Sequence, residues 1–145
     1  KLNKTADEML EIYNKKSGML GVSGISSDSR DIEDAFYKGD ERERLTSSLY
    51  ARIASKFIGS YFVEMGGLDA IAFTAGVGEN ASYLRRLIVD DIADALGVVL
   101  DDKANETRSK ENRFISSESS KVKVMVIPTN EEVMIARDTI RVLDL

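Results

Sequence analysis

The chain of 145 residues has no cysteine, no histidine, no tryptophan and a single proline. Without cysteine it has no disulfide framework and no thiolate metal centre. Without histidine it has no imidazole to bind zinc or to carry acid–base chemistry near neutral pH. It also lacks an excess of positive charge: 20 Lys and Arg stand against 25 Asp and Glu, a net charge of −5. Nucleic-acid surfaces hold phosphates with clustered cations, and the basic residues here are scattered, so no nucleic-acid partner is expected. No apolar run approaches the roughly 18 residues of a membrane span. The first residues, Lys1-Leu2-Asn3-Lys4-Thr5, have no apolar signal-peptide core. A cytoplasmic location with no membrane partner is the expectation. The length suits one domain with a real core, and the missing initiator Met fits a piece of a longer protein as well as a processed chain.

What is present is dominated by Asp69-Ala70-Ile71-Ala72-Phe73-Thr74-Ala75-Gly76-Val77-Gly78-Glu79-Asn80. It reads as a buried strand breaking into a glycine turn that opens a helix. Two glycines around one residue let the backbone approach a ligand without a Cβ in the way, and the following helix start points free N–H groups at the same spot. A second unit of this design lies at Val122–Ile127, a strand pattern that Pro128-Thr129-Asn130-Glu131-Glu132 turns into the last helix. Two such turns would face one ligand across a sheet edge.

Elsewhere, Ala6, Met9, Leu10 and Tyr13 predict one face of a short helix. Ser17–Arg30 carries three glycines spaced by three among small polar residues, which predicts a structured loop, with Asp31 capping a helix to about Tyr37. Leu45, Leu49, Ile53, Phe57 and Tyr61 recur every four residues and predict a long helix that packs on the sheet and ends near Gly66-Gly67. The next helix spans about Ala81 to Leu96, with Leu84, Ile88, Ile92 and Ala95 inward and Gly97 as its stop. Val98–Leu100 is expected as a short strand, and Asp101–Lys121 as a polar excursion anchored by Phe114-Ile115 with one edge strand. Val133, Ala136, Ile140 and Leu143 give the final helix an expected buried face.

Each candidate site residue has a structural role open beside the functional one. Gly76-Val77-Gly78 can be a tight connection alone, and Asn80 an N-cap accepting from Ser82 or Tyr83. Thr129-Asn130-Glu131-Glu132 matches the S/T-x-x-E capping box, which assigns Glu132 to the cap. Glu131 is then a solvated first-turn carboxylate or a residue that orients Mg²⁺ through water. Asp28 and Arg30 read as surface residues or an ion pair. Gly76–Ala81 also satisfies G-x-G-x-x-A with Asp101 downstream, as in a dinucleotide fold. Glu79 in the pyrophosphate turn and a three-residue second strand argue against it, and no P-loop sequence occurs.

The segments Ser17–Asp28, Phe73–Asn80 and Val126–Glu132 resemble, in this order, the C-terminal signatures of the acetate kinase family, and the similarity runs over essentially the whole chain. The resemblance implies an α/β fold: part of the second domain of the actin-like ATPase (ribonuclease H-like) fold, a short mixed sheet packed by helices. Residues 1–145 would be the C-terminal part of that domain, with the N-terminal domain and the start of the second absent. It implies that Asp28, Ser29, Arg30, Gly76, Val77, Gly78, Glu79 and Asn80 line the nucleotide site and that Glu131 is the magnesium-linked glutamate. The implied reaction moves the γ-phosphoryl group of ATP to acetate, giving acetyl phosphate and ADP, with Mg²⁺ as cofactor and a homodimer as the assembly. The family's active-site histidine and catalytic arginines lie upstream, so no residue here is assigned to the chemical step and the chain alone is expected to be inactive. The alternatives are a propionate kinase of the same family, or a non-catalytic dimerisation fragment.

Overall fold

A computed structural model describes residues 3–143; Lys1 and Leu2, part of the stretch read above as lacking a signal-peptide core, lie outside the described residues. Helix α1 (Ala6–Lys15) begins with a reciprocal cap: the Thr5 hydroxyl accepts from the Glu8 N–H at 3.2 Å, and the Glu8 carboxylate accepts from the Thr5 N–H at 2.8 Å. Two otherwise orphaned donors are thereby satisfied. The expected apolar face is not buried, and Leu10 and Tyr13 are exposed. The stretch expected as a loop contains helix α2 (Gly18–Ser23), which Gly24 closes in the left-handed conformation at φ 77°. A single helical turn tolerates the glycines because the left-handed stop satisfies its last carbonyls. The cap of helix α3 (Ser29–Tyr37) lies three residues before the expected one: Asp28, not Asp31, accepts from the Arg30 N–H at 2.9 Å.

Helix α4 (Glu41–Glu64) is capped by Asp40. It turns the opposite way from the expectation. Leu45, Leu49, Ile53, Phe57 and Tyr61 are all exposed, and the buried face is Glu43, Thr46, Ser47, Ala51 and Ser55. Residues two apart on a helix point about 200° apart, so the two rows lie on opposite faces. The small row faces helix α6 (Ser82–Leu96) and lets the two axes approach. The Ser55 hydroxyl, bonded to the Ala51 carbonyl at 2.8 Å, also lies 3.3 Å from the Ile88 carbonyl. Only toward its C-terminal end does α4 send apolar side chains, Ile58 and Phe62, onto the main core.

The sheet has three strands in the order β1 (Ala70–Phe73), β3 (Lys123–Val126), β2 (Arg113–Phe114). β1 and β3 are parallel with Ala70 opposite Lys123 and Phe73 opposite Val126, and β2 is antiparallel to β3. This is the short mixed sheet the resemblance implied, with β2 as the expected edge strand. β1 is also an edge, so only Ile71 of it is buried rather than the whole run. Val98–Leu100 does not form a strand of the sheet; Leu100 makes one antiparallel bridge to Ser116. Gly97 stops α6 at φ 66° as expected, but Leu96 rather than Ala95 points inward. The polar excursion holds an unexpected helix, α7 (Asp102–Glu106).

The main core lies between α6 and the sheet. Ile71, Val89, Ile92, Val124 and Val126 meet there with Ile115. Helix α8 (Glu131–Leu143) follows β3 and has no buried residue; Val133, Ile140 and Leu143, expected inward, are exposed. Its periodicity is real, but among the described residues no element covers that face. Two substitutions separate the real core from the apparent one. Ile115, 0% exposed, should cost about 2–5 kcal/mol as Ile115→Ala. Phe57→Ser, on the exposed row of α4, should change stability by no more than about 0.5 kcal/mol. Urea melts of the 145-residue chain measure both.

Candidate functional site

Because β1 and β3 are parallel, their C-terminal ends lie side by side, and the chain leaves the sheet into a helix at each. Thr74 leads into helix α5 (Ala75–Asn80), and residues 127–130 lead into α8. The Ile127 N–H donates to the Phe73 carbonyl at 2.9 Å, which carries the pairing one step beyond the strands. Ligands of open α/β sheets bind outside this end of the strands.

The glycine run is itself helical rather than a turn ahead of one long helix. Ala75 takes the left-handed φ of 58°, α5 follows, and a bend at Ala81 separates it from α6. The two glycines differ. A Cβ on Gly78 would stand 3.2 Å from the Phe73 carbonyl carbon, so this glycine lets α5 press against β1. A Cβ on Gly76 would meet nothing within 4 Å, so the backbone there is open to a ligand. Asn80 is not an N-cap; its amide Nδ2 donates back to the Gly76 carbonyl at 2.8 Å.

Glu79 reaches across to the second turn. Its Oε1 accepts from the Thr129 backbone N–H at 2.8 Å and from the Thr129 hydroxyl at 3.0 Å. The Thr129 N–H, the rest of that bonding and the nearby Arg113 charge hold the carboxyl below its ordinary range. The link dismantles the expected capping box, because Thr129 is spent on Glu79. Asn130 takes over the cap, its Oδ1 accepting from the Val133 N–H at 3.1 Å. Glu132 therefore has no capping role. Both it and Glu131 line the cleft beside the turn, and neither makes a hydrogen bond or ion pair among the described residues.

Asp28, Ser29 and Arg30 form the start of α3. The Arg30 guanidinium folds back on Asp28, with Nε 3.0 Å from Oδ1 and Nη2 2.5 Å from Oδ2. That pairing holds the Asp28 carboxyl down at about 2. The start of α3 is tied to α6 by Tyr83, whose hydroxyl lies 3.5 Å from the Ser29 carbonyl and whose ring packs 5.2 Å from that of Phe36. Burial pushes the Tyr83 hydroxyl up to about 12, so it stays a neutral donor.

Arg85, which the sequence reading passed over, frames the site from below. Its guanidinium donates from Nε to Asn105 Oδ1 at 2.8 Å, from Nη1 to the Gly78 and Glu79 carbonyls at 2.8 and 3.0 Å, and from Nη2 to the Asn105 carbonyl at 2.5 Å. Arg85 is 2% exposed, and among the described residues no carboxylate pairs with it. Burial lowers its pKa to about 10, which still leaves it charged at neutral pH. A cation on the inner face of an amphipathic helix, beside Leu84 and Ile88, was the available signal.

Gly78 lines an apolar cleft of about 590 Å³ with Phe73, Leu84 and Arg85, and two further open clefts gather other site residues. One of about 470 Å³ brings Ser29 and Arg30 to Gly76, Val77 and Asn80; the other, about 940 Å³, brings Glu79 and Asn80 to Thr129, Glu131 and Glu132. Asn80 and Arg108 line both. The segments singled out in the sequence thus converge at one sheet edge. Among the described residues no group of three or more acidic side chains gathers to hold a metal by itself; a hydrated Mg²⁺ needs only one or two carboxylates alongside substrate phosphates, and Glu131 and Glu132 are the unspent pair in the cleft. The dinucleotide pattern does not survive: the parallel neighbour of β1 is β3, and Asp101 caps α7 through the Ala104 N–H at 2.9 Å.

Removing the guanidinium should be costly. Arg85→Met orphans several buried acceptors at about 1–3 kcal/mol each, so stability should fall by at least about 2 kcal/mol in a denaturant melt. The Glu79–Thr129 link should depend on pH. A carboxyl lowered by folding stabilises above its ordinary 4.5 and loses that contribution as pH falls through the lower folded value. The Thr129 amide resonance should therefore titrate with a midpoint below 4.5 and cease to do so in Glu79→Gln; a midpoint at or above 4.5 contradicts the link.

Comparison with known proteins agrees with this architecture. The model of the acetokinase family matches residues 1–137. The acetate kinase of Anoxybacillus flavithermus is 52% identical over 145 residues, all of this chain and 36% of that protein. Among solved structures, Porphyromonas gingivalis acetate kinase superposes with a TM-score of 0.84 at 46% identity, over 97% of this chain and 35% of that one. A propionate kinase from Francisella tularensis gives 0.83 at 37% identity, over 93% and 34%. The chain spans about a third of the length of the relatives it matches, and its α/β fold is that of the corresponding part of the actin-like ATPase fold. The chain belongs to the acetokinase family.

Proposed function

We propose that this chain is the later part of the second domain of an acetate kinase and supplies the adenosine-side half of its nucleotide site. The supporting observation is convergence. Ser29, Arg30, Gly76, Val77, Glu79, Asn80 and Glu131 are separated by up to about a hundred residues, yet they line two adjoining clefts at the C-terminal ends of parallel strands, with Asp28 paired to Arg30 beside the smaller one.

In this reading the exposed backbone at Gly76 accepts adenosine against it, and Val77 supplies apolar surface. The Asn80 amide and Ser29 offer polar contacts, and Glu79 holds the two turns at a set spacing. Asp28 is first a helix cap and then an acceptor for a ribose hydroxyl, and Arg30 can leave it to cover the base or reach phosphate. Glu131 would hold a hydrated Mg²⁺, which when bound neutralises and orients phosphate oxygens. The full reaction passes the γ-phosphoryl group of ATP to acetate and depends on cationic stabilisation of the moving group. This chain has no histidine, and none of its residues is assigned to that step. The assembly is proposed as a cytoplasmic homodimer. Among the described residues no helix is long and apolar enough to cross a membrane. The likeness to a propionate kinase favours one second reading, the same chemistry on propionate.

Mixed with ATP, Mg²⁺ and acetate, the 145-residue chain alone should yield no acetyl phosphate above background, trapped as the hydroxamate. ADP should nevertheless shift the amide resonances of Gly76, Gly78 and Asn80 together, with an affinity no better than roughly millimolar for half a cleft. Turnover by the pure chain overturns the assignment of the chemical step to residues outside it. Tighter binding of NAD than of ADP overturns the nucleotide reading.

A further inference from the structure

We propose that Arg108 contacts the phosphate tail of the nucleotide, at the junction of the two clefts. The inference rests on the nucleotide reading above. Among the described residues, Arg108 and Asn80 alone line both clefts. A ligand that lies on the Gly76 backbone at one end and meets a metal ion at Glu131 at the other must pass between them. A nucleoside diphosphate has that two-part chemistry, a flat base and sugar followed by an anionic tail.

The charge balance of the clefts points the same way. Glu79, Glu131 and Glu132 all line the larger one, with Arg108 and Lys110 as its cations, and of these two Arg108 alone also lines the smaller cleft; carboxylates without cations repel a pyrophosphate. Arg30 is already engaged by Asp28 in the bidentate pair at 2.5 and 3.0 Å. Arg108 is exposed and makes no hydrogen bond or ion pair among the described residues. Its charge reaches Glu33 in the smaller cleft, where it opposes the rise that burial imposes on that carboxyl. A planar guanidinium with its donors unspent matches phosphate oxygens better than a lysine ammonium does.

Arg108 is also anchored at the right place. It follows α7 by two residues, and α7 is held through Asn105 by the same Arg85 that grips the Gly78 and Glu79 carbonyls. One buried guanidinium therefore sets both the glycine helix and the base of the segment that presents Arg108. The sequence hid this, because Arg108 sits in a polar stretch some thirty residues from the glycines.

The test is a titration of the 145-residue chain with adenosine and with ADP, followed by amide resonances, for wild type, Arg108→Gln, Arg108→Lys and Lys110→Gln. Wild type should prefer ADP over adenosine about tenfold, the scale of one charge-assisted contact. Arg108→Gln should abolish that preference and leave adenosine affinity unchanged. Arg108→Lys should restore part of it, and Lys110→Gln should keep most of it. An unchanged ADP preference in Arg108→Gln overturns the proposal and leaves the nucleotide reading standing. Equal loss for both ligands, or an equal effect of Lys110→Gln, also overturns it, since the residue would then act on shape or on general charge. If wild type binds neither ligand, the nucleotide reading fails and the assignment of Arg108 fails with it.

Discussion

Much of the site hangs on one buried cation. The Arg85 guanidinium spends its donors on four acceptors, two on the glycine helix and two on Asn105. Removing an arginine from water without a carboxylate partner is unfavourable in itself, and only a complete set of charge-assisted hydrogen bonds offsets it. That requirement makes the arrangement specific. If α7 or the end of α5 moved, a buried charge would lose acceptors, so the three elements hold one geometry. No purely apolar contact would impose such a constraint, since apolar packing tolerates sliding.

A second link works at the surface above it. Glu79 belongs to one strand-to-helix connection and Thr129 to the other, and their two hydrogen bonds span fifty residues of sequence. A glutamate in a phosphate-binding turn looked unfavourable from sequence, because like charges repel. Its carboxylate is instead turned onto a backbone N–H and a hydroxyl, with Arg113 nearby to temper the charge. The same bond removes Thr129 from the cap of α8 and gives that task to Asn130. Two local motifs, each sensible alone, gave way to one contact that neither could show.

The apolar faces of α4 and α8 obey a different logic. Both helices have regular apolar spacing, and in both it lies outside: Leu45, Leu49, Ile53, Phe57 and Tyr61 on one, Val133 and Ile140 on the other. α4 uses its small side chains against α6 because close helix packing needs little bulk at the contact, and Ser47, Ala51 and Ser55 supply it. Periodicity reports that a helix has an apolar side. It does not report which side its nearest neighbour takes.

By itself the sequence determined the local elements and the chemistry they can carry. The strands Ala70–Phe73 and Lys123–Val126, left-handed stops such as Gly97, and the ordered glycine, aspartate and glutamate segments follow from residue type and spacing, since backbone freedom and burial act over a few residues. The family resemblance was legible for the same reason, as three short motifs in order. Only the tertiary structure decided what depends on distant partners: the inward face of α4 against α6, and the Glu79–Thr129 bond. The Arg85 frame and the place of Arg108 between the clefts belong to this second group. Each is set by which surfaces meet when α6 packs on α4 and β1 pairs with β3, and the intervening sequence carries no local signal of that meeting.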